Sequence, residues 1–170
     1  ASASAAGGRD ASHVEWALTD ACELRCRHCH ARRRRSEQAE LTRAEADALA
    51  RELAARGVRQ VTLSGGEPLL RAGWDEIAGR LGRDGVGVEL ISNGQTLDRA
   101  VARVARMAGV RRVLVSLDGL EATHDAIRGR AGAWQSVARA ARALDAEGLP
   151  FGVLTTVLRA NRSELEELGL

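Results

Sequence analysis

Strand-like runs alternate with helix-like stretches along this chain, and that order admits few folds. Residues 13–19 (HVEWALT), 59–64 (RQVTLS), 86–92 (VGVELIS), 112–117 (RVLVSL) and 151–158 (FGVLTTVL) read as five strands. Helices fill the intervals. Thr42 and Glu45 fit a capping box, each side chain satisfying the other's free backbone N–H. Ala46, Leu49, Ala50 and Leu53 then share a face, and Gly57 ends the helix. A short helix is expected over 74–81, and Leu97, Val101, Val104 and Ala108 give a third its face. Trp134, Val137, Ala138, Ala141 and Leu144 share a face in the helix-rich connection before strand five, and Asn161 or Ser163 is the expected cap of a last helix. Strand–helix–strand units are right-handed and build a parallel sheet, with ligands at the C-terminal ends of its strands. The polar clusters fall at those ends: a cysteine loop after strand one, Gly65-Gly66-Glu67-Pro68 after two, Asn93-Gly94 after three, and Ser116 with Asp118 at four.

The chain has 170 residues, 45% hydrophobic and 28% charged, as expected of one soluble globular domain. Residues 1–12 read as a disordered lead-in and 13–170 as the domain. A closed eight-stranded barrel needs about 250 residues. Five βα units leave strands one and five as open edges, so the expected fold is α/β, a partial (β/α) barrel whose C-terminal part is missing. Three Trp, one Phe and no Tyr leave few platforms for stacking bases, and a net charge of +2 marks neither nucleic acid nor a membrane as partner. No apolar run reaches the roughly 20 residues of a membrane span, and the opening residues lack a signal peptide's apolar stretch. Three cysteines crowded into eight residues argue against a disulfide framework and for a metal site in a reducing, cytoplasmic setting.

Those cysteines form Cys22-Glu-Leu-Arg-Cys26-Arg-His-Cys29. Three thiolates can each hold one iron of a four-iron cubane, which ordinarily takes four Cys ligands. The chain has no fourth Cys, so one iron is left open to a substrate or cofactor. The competing reading is structural zinc, with His28 or His30 completing four ligands in a binding module without catalysis. Zinc ligands, however, usually come as two separated pairs, and here all crowd one loop.

With this loop after strand one and GGEP after strand two, nearly the whole chain resembles the radical S-adenosylmethionine superfamily, and in particular the core domain of its SPASM and twitch peptide- and protein-modifying maturases. The resemblance implies a 4Fe–4S cluster on Cys22, Cys26 and Cys29, with S-adenosylmethionine on the open iron. Reductive cleavage then gives a 5′-deoxyadenosyl radical, which abstracts hydrogen from a peptide or protein. A small molecule of a haem or other cofactor pathway is the alternative substrate.

The resemblance also implies site roles. Gly65, Gly66, Glu67 and Pro68 hold the amino group: the glycines let backbone approach closely and Glu67 supplies a carboxylate. Ser116 and Arg128 reach the sugar and carboxylate side, where an arginine fork suits a carboxylate. The bland alternative for Arg128 is an i, i+3 surface pair with Asp125. His28 stands where the family usually has an aromatic residue beside the adenine, and Leu154 or Thr156 touches adenine from strand five. Asn93 is the weakest of the set, since Asn-Gly favours turns by itself. Asp118 lies toward the substrate and is the only candidate catalytic residue. Reduced flavodoxin or ferredoxin is the expected electron donor. Arg32, Arg33, Arg34 and Arg35 would dock it, although such a run is ordinarily a solvated surface. Further cysteines for auxiliary clusters are expected beyond Leu170.

Overall fold

The computed structural model describes residues 12–29 and 39–169. Strands β1 (His13–Ala17), β2 (Gln60–Ser64), β3 (Gly87–Ser92), β4 (Val110–Ser116) and β5 (Phe151–Leu154) form one sheet in sequential order, every neighbouring pair parallel. Helices α1 (Arg43–Ala55), α2 (Trp74–Arg83), α3 (Arg99–Met107), α4 (Glu121–Arg128) and α5 (Ala133–Ala146) connect them. Right-handed crossovers between sequential strands all fall on the same side. One sheet face is therefore covered by helices and the other is open, as in a partial (β/α) barrel.

The register shows how the sequence serves the two faces. Trp16, Leu63, Leu90 and Val113 are aligned across four strands and buried against Ala50, Ala78, Leu81, Ala102 and Leu144 of the helices. Alanine at these helical positions lets backbone approach the sheet closely. The alternate positions face the open side and mix polar residues with Ala17, Ile91 and Leu114. Ser64 donates to Glu15 at 2.7 Å, Arg112 pairs with Glu89 at 2.8 Å, and His13 bonds Thr62 at 2.8 Å. A closed barrel fills its interior with branched apolar side chains; this face instead carries charges suited to contact with water or a polar ligand.

Local signals hold where they are strong. The Thr42–Glu45 capping box is formed in both directions. The helix-rich connection resolves into two helices, because Gly129 takes a left-handed φ of 69° and ends α4. Strand β5 stops at Leu154, short of the expected 158. Beyond it the Thr155 hydroxyl donates to the Leu117 carbonyl and the Thr156 N–H donates to Asp118, so the backbone leaves the ladder. The expected last helix is only a 3-10 turn, Arg162–Glu164, and Asn161 makes no capping bond to it. Among the described residues no helix is long and apolar enough to cross a membrane.

Candidate functional site

The cysteine loop leaves β1 and is held from two sides. On one side the Gly66 N–H donates to Thr19 O at 2.6 Å, and the Glu67 N–H to Ala21 O at 2.7 Å. On the other, the N–H groups of Arg25 and Arg27 donate to the carbonyls of Arg128 and Ile127 at the end of α4, at 3.3 and 3.0 Å. Leu24 is buried between these supports. Cys22, Cys26 and Cys29 are all half-buried and unbridged. Burial pushes the Cys22 and Cys26 thiols up, and at Cys26 the Arg128 charge opposes that push. Such sulfurs become thiolates when a metal supplies the positive charge. Among the described residues, no three His, Cys, Asp or Glu side chains are gathered as a single ion requires. A cubane does not need that arrangement, since each thiolate takes its own iron.

The GGEP turn sits directly beneath this loop, and its glycines have a more specific reason than approach to a ligand. A Cβ on Gly65 would come within 2.5 Å of Thr19 O, and one on Gly66 within 2.2 Å of Ala21 O. Gly65 also takes a φ of 130°, which favours glycine. The close approach is to the backbone of the cysteine loop itself. Pro68 opens a 3-10 turn, Pro68–Leu70, and the Glu67 side chain caps it through the Leu69 N–H.

Glu67 has no exposed surface. It accepts from the Asn93 N–H at 2.8 Å and from the Ser92 hydroxyl at 3.0 Å. Burial nevertheless pushes its carboxyl up to about 7. No cation pairs with it among the described residues, so an arriving ammonium group would meet a well-oriented carboxylate. Asn93, legible in sequence only as a turn, joins two parts of the site. Its side-chain amide lies 3.7 Å from Cys22 Sγ and 3.2 Å from a Glu23 carboxylate oxygen, while its backbone holds Glu67.

At the end of β4 both Ser116 and Asp118 are buried. Ser116 pairs in register with Leu154, which is 41% exposed on the open side. Asp118 has no exposed surface. Arg128 pairs with it at 2.9 Å and the His28 ring stands 3.7 Å away. Arg128 is 7% exposed, which sets aside the solvated surface pair, and Asp125 bonds the backbone of Gly132 and Trp134 instead. The Arg128 Nε is buried with no hydrogen-bond partner among the described residues, a free donor suited to a ligand carboxylate. The cysteine loop, Glu67 and Arg128 therefore fit a cluster together with an amino acid-bearing cofactor.

Two residues given no site role by the sequence also support this end of the site. His124 accepts the Asp118 N–H at 3.0 Å, and burial pushes its imidazole down to about 4, so it is neutral near pH 7. Asn161 is fully buried and donates to the carbonyls of Asp118 and Thr156 at 2.8 and 2.9 Å. His124 opens the segment His-Asp-x-x-Arg-Gly at 124–129, which also carries Arg128. His30 and the run Arg32, Arg33, Arg34, Arg35 lie outside the described residues.

A parallel partial barrel with three thiols and a buried carboxylate on the rim of its strands is the core of a cofactor-dependent α/β enzyme. The profile of the Radical SAM superfamily matches residues 16–169, and the chain belongs to that superfamily. Its cofactors are accordingly a 4Fe–4S cluster and S-adenosylmethionine. An AdoMet-dependent heme synthase of Methanosarcina barkeri is 41% identical over 155 residues, 89% of this chain and 44% of that protein. The sporulation killing factor maturation protein SkfB of Bacillus subtilis is 31% identical over 152 residues, 89% of this chain and 37% of its own. Among solved structures, Streptococcus suis SuiB bound to precursor peptide SuiA superposes with a TM-score of 0.79 at 15% identity, over 93% of this chain and 36% of that one. The chain spans less than half the length of each of these relatives.

Proposed function

We propose that this chain generates a 5′-deoxyadenosyl radical and directs it at a C–H bond of a peptide or protein. The observation that carries the reading is the meeting of the cysteine loop, Glu67 and Arg128 on one rim. Cys22, Cys26 and Cys29 hold the cluster. Glu67, presented by Gly65, Gly66 and Pro68, receives the amino group of S-adenosylmethionine. Arg128 faces its carboxylate and Ser116 its sugar, while Leu154 and His28 lie on the adenine side and Asn93 braces Cys22 and Glu67. When bound, cluster and cofactor supply a carbon radical able to abstract hydrogen. The chain's own residues position them, and Asp118 acts through Arg128. Residues 13–170 make up this unit as one domain.

Likeness to SkfB and to the peptide-bound SuiB supports a peptide substrate. The second reading is a haem-pathway substrate, favoured by the identity to the heme synthase. A short precursor peptide encoded beside the gene and altered by the reconstituted enzyme supports the first. Turnover of a haem precursor in its place supports the second.

Anaerobic reconstitution tests the chemistry itself. About four iron and four sulfide per chain are expected, with cleavage of S-adenosylmethionine under dithionite. Stoichiometric zinc with no colour would make the chain a zinc-stabilised binding module instead. Replacing Cys22, Cys26 or Cys29 by Ala is expected to abolish cleavage, and a variant that still cleaves overturns the ligand set.

Flavodoxin or ferredoxin is the proposed electron donor, guided by the four consecutive arginines. Changing Arg32, Arg33, Arg34 and Arg35 to Ser is expected to slow reduction by flavodoxin while leaving reduction by dithionite unchanged. Equal flavodoxin rates in the two proteins would remove the arginines from that role.

A further inference from the structure

The Arg128 guanidinium is divided between two partners. One terminal nitrogen, Nη2, lies 2.9 Å from Asp118 Oδ2, a charge contact more than an aligned hydrogen bond. The other, Nη1, donates to Cys26 Sγ at 3.8 Å. Asp118 cannot turn away from this contact. Its other oxygen accepts the Thr156 N–H at 2.9 Å, its backbone N–H goes to His124, and its carbonyl is held by Asn161.

The helix that carries Arg128 is in turn fastened to the cysteine loop by the bonds from Arg25 and Arg27. At Gly129 a Cβ would come within 3.0 Å of Arg25 O, so helix end and loop are in direct contact. The ends of β4 and β5, the end of α4 and the loop around Cys26 form one connected unit. A buried ion pair stands against a single sulfur, whereas Cys22 meets the neutral amide of Asn93.

We propose that the Asp118–Arg128 pair sets the reduction potential of the cluster through Cys26, with Asp118 the positioning residue that aims the guanidinium at the sulfur. This rests on the cluster reading above. Reduction of the cluster adds one electron and breaks no bond. Positive charge and a donated hydrogen bond at a ligating sulfur stabilise the added electron, so they raise the potential. Arg128 supplies both. Without Asp118 its long side chain has rotamers that leave Cys26, and a buried carboxylate partner removes that freedom.

The test is a redox titration, followed by electron paramagnetic resonance, of the reconstituted full chain and three variants, each loaded to about four iron. Arg128→Gln is expected to shift the midpoint to more negative potential. Arg128→Lys is expected to shift it the same way by less, because an ammonium keeps the charge and cannot fork between sulfur and carboxylate. Asp118→Asn preserves shape and the Thr156 contact, and is expected to move the midpoint toward that of Arg128→Gln.

An Arg128→Gln midpoint equal to that of the parent overturns the proposal. If that variant will not retain iron, Arg128→Lys decides, and an unmoved midpoint there overturns it equally. A positive shift in Asp118→Asn, the result of removing a negative charge with the arginine still in place, overturns the positioning role. Failure of the parent to take up iron would instead overturn the cluster reading, and this proposal with it.

Discussion

Gly66→Ala is expected to destabilise the protein by about 3 kcal/mol or more, near the upper range for overpacking. It is also expected to prevent cluster assembly. The new methyl would lie 2.2 Å from Ala21 O, 2.8 Å from Ala21 C and 2.9 Å from Asp20 C. All three are backbone atoms of the segment leading into Cys22, so no side chain can rotate away. Relief requires the loop to lift from β2, which breaks the bonds from Gly66 to Thr19 and from Glu67 to Ala21. Chemical denaturation together with iron analysis of the reconstituted variant checks both halves. A variant with parental stability and four iron would show that the loop is not clamped by this turn.

Glu67→Gln is expected to separate stability from binding. The carboxyl is held at about 7 by burial, well above its ordinary value. A carboxyl raised on folding contributes stability that is complete below its unfolded value and lost as pH rises through the folded one. The ligand-free parent is therefore expected to weaken between about pH 4.5 and 7 from this group, by up to about 3 kcal/mol. Gln carries no such dependence. Its carbonyl can accept the Asn93 N–H while its amide donates to the Ser92 hydroxyl, so only the 3.3 Å bond from Leu69 is lost.

Above pH 7 the variant is expected to equal or exceed the parent in stability, with a difference that shrinks toward pH 5. His124, whose imidazole is held at about 4, works in the opposite sense. It gives stability above its unfolded value near 6.5 that is lost as pH falls. It is common to both proteins and leaves their difference untouched. Affinity for S-adenosylmethionine, by contrast, is expected to fall about 100-fold or more, because a desolvated ammonium loses its carboxylate. Parental affinity in calorimetric titration would remove Glu67 from the amino-group site.

The pattern of elements was legible because it rests on local rules. Alternating apolar residues mark strands, a Thr and a Glu three apart mark a helix start, and three cysteines in eight residues mark a metal loop. None of these needs knowledge of which segments meet. The boundaries that shifted lie where a side chain intervenes from afar. Strand β5 ends four residues early because Asp118 takes the Thr156 N–H across 38 residues of sequence.

The cysteine loop, the GGEP turn and the parallel order of strands were thus determined by the sequence alone, together with the class of chemistry they imply. Only the tertiary structure decided what each polar residue faces. Asn93 reads as a turn, yet it touches Cys22 from 71 residues away, and Arg128 reaches Cys26 across 102. Asp118, two residues along from Ser116, is fully buried and paired with Arg128. The physical reason is that a buried charge goes where its partners are, and in a parallel barrel those partners arrive on separate strands and helices. Local pattern can place a carboxylate at a strand end, but only the packed rim brings it the guanidinium that fixes its direction.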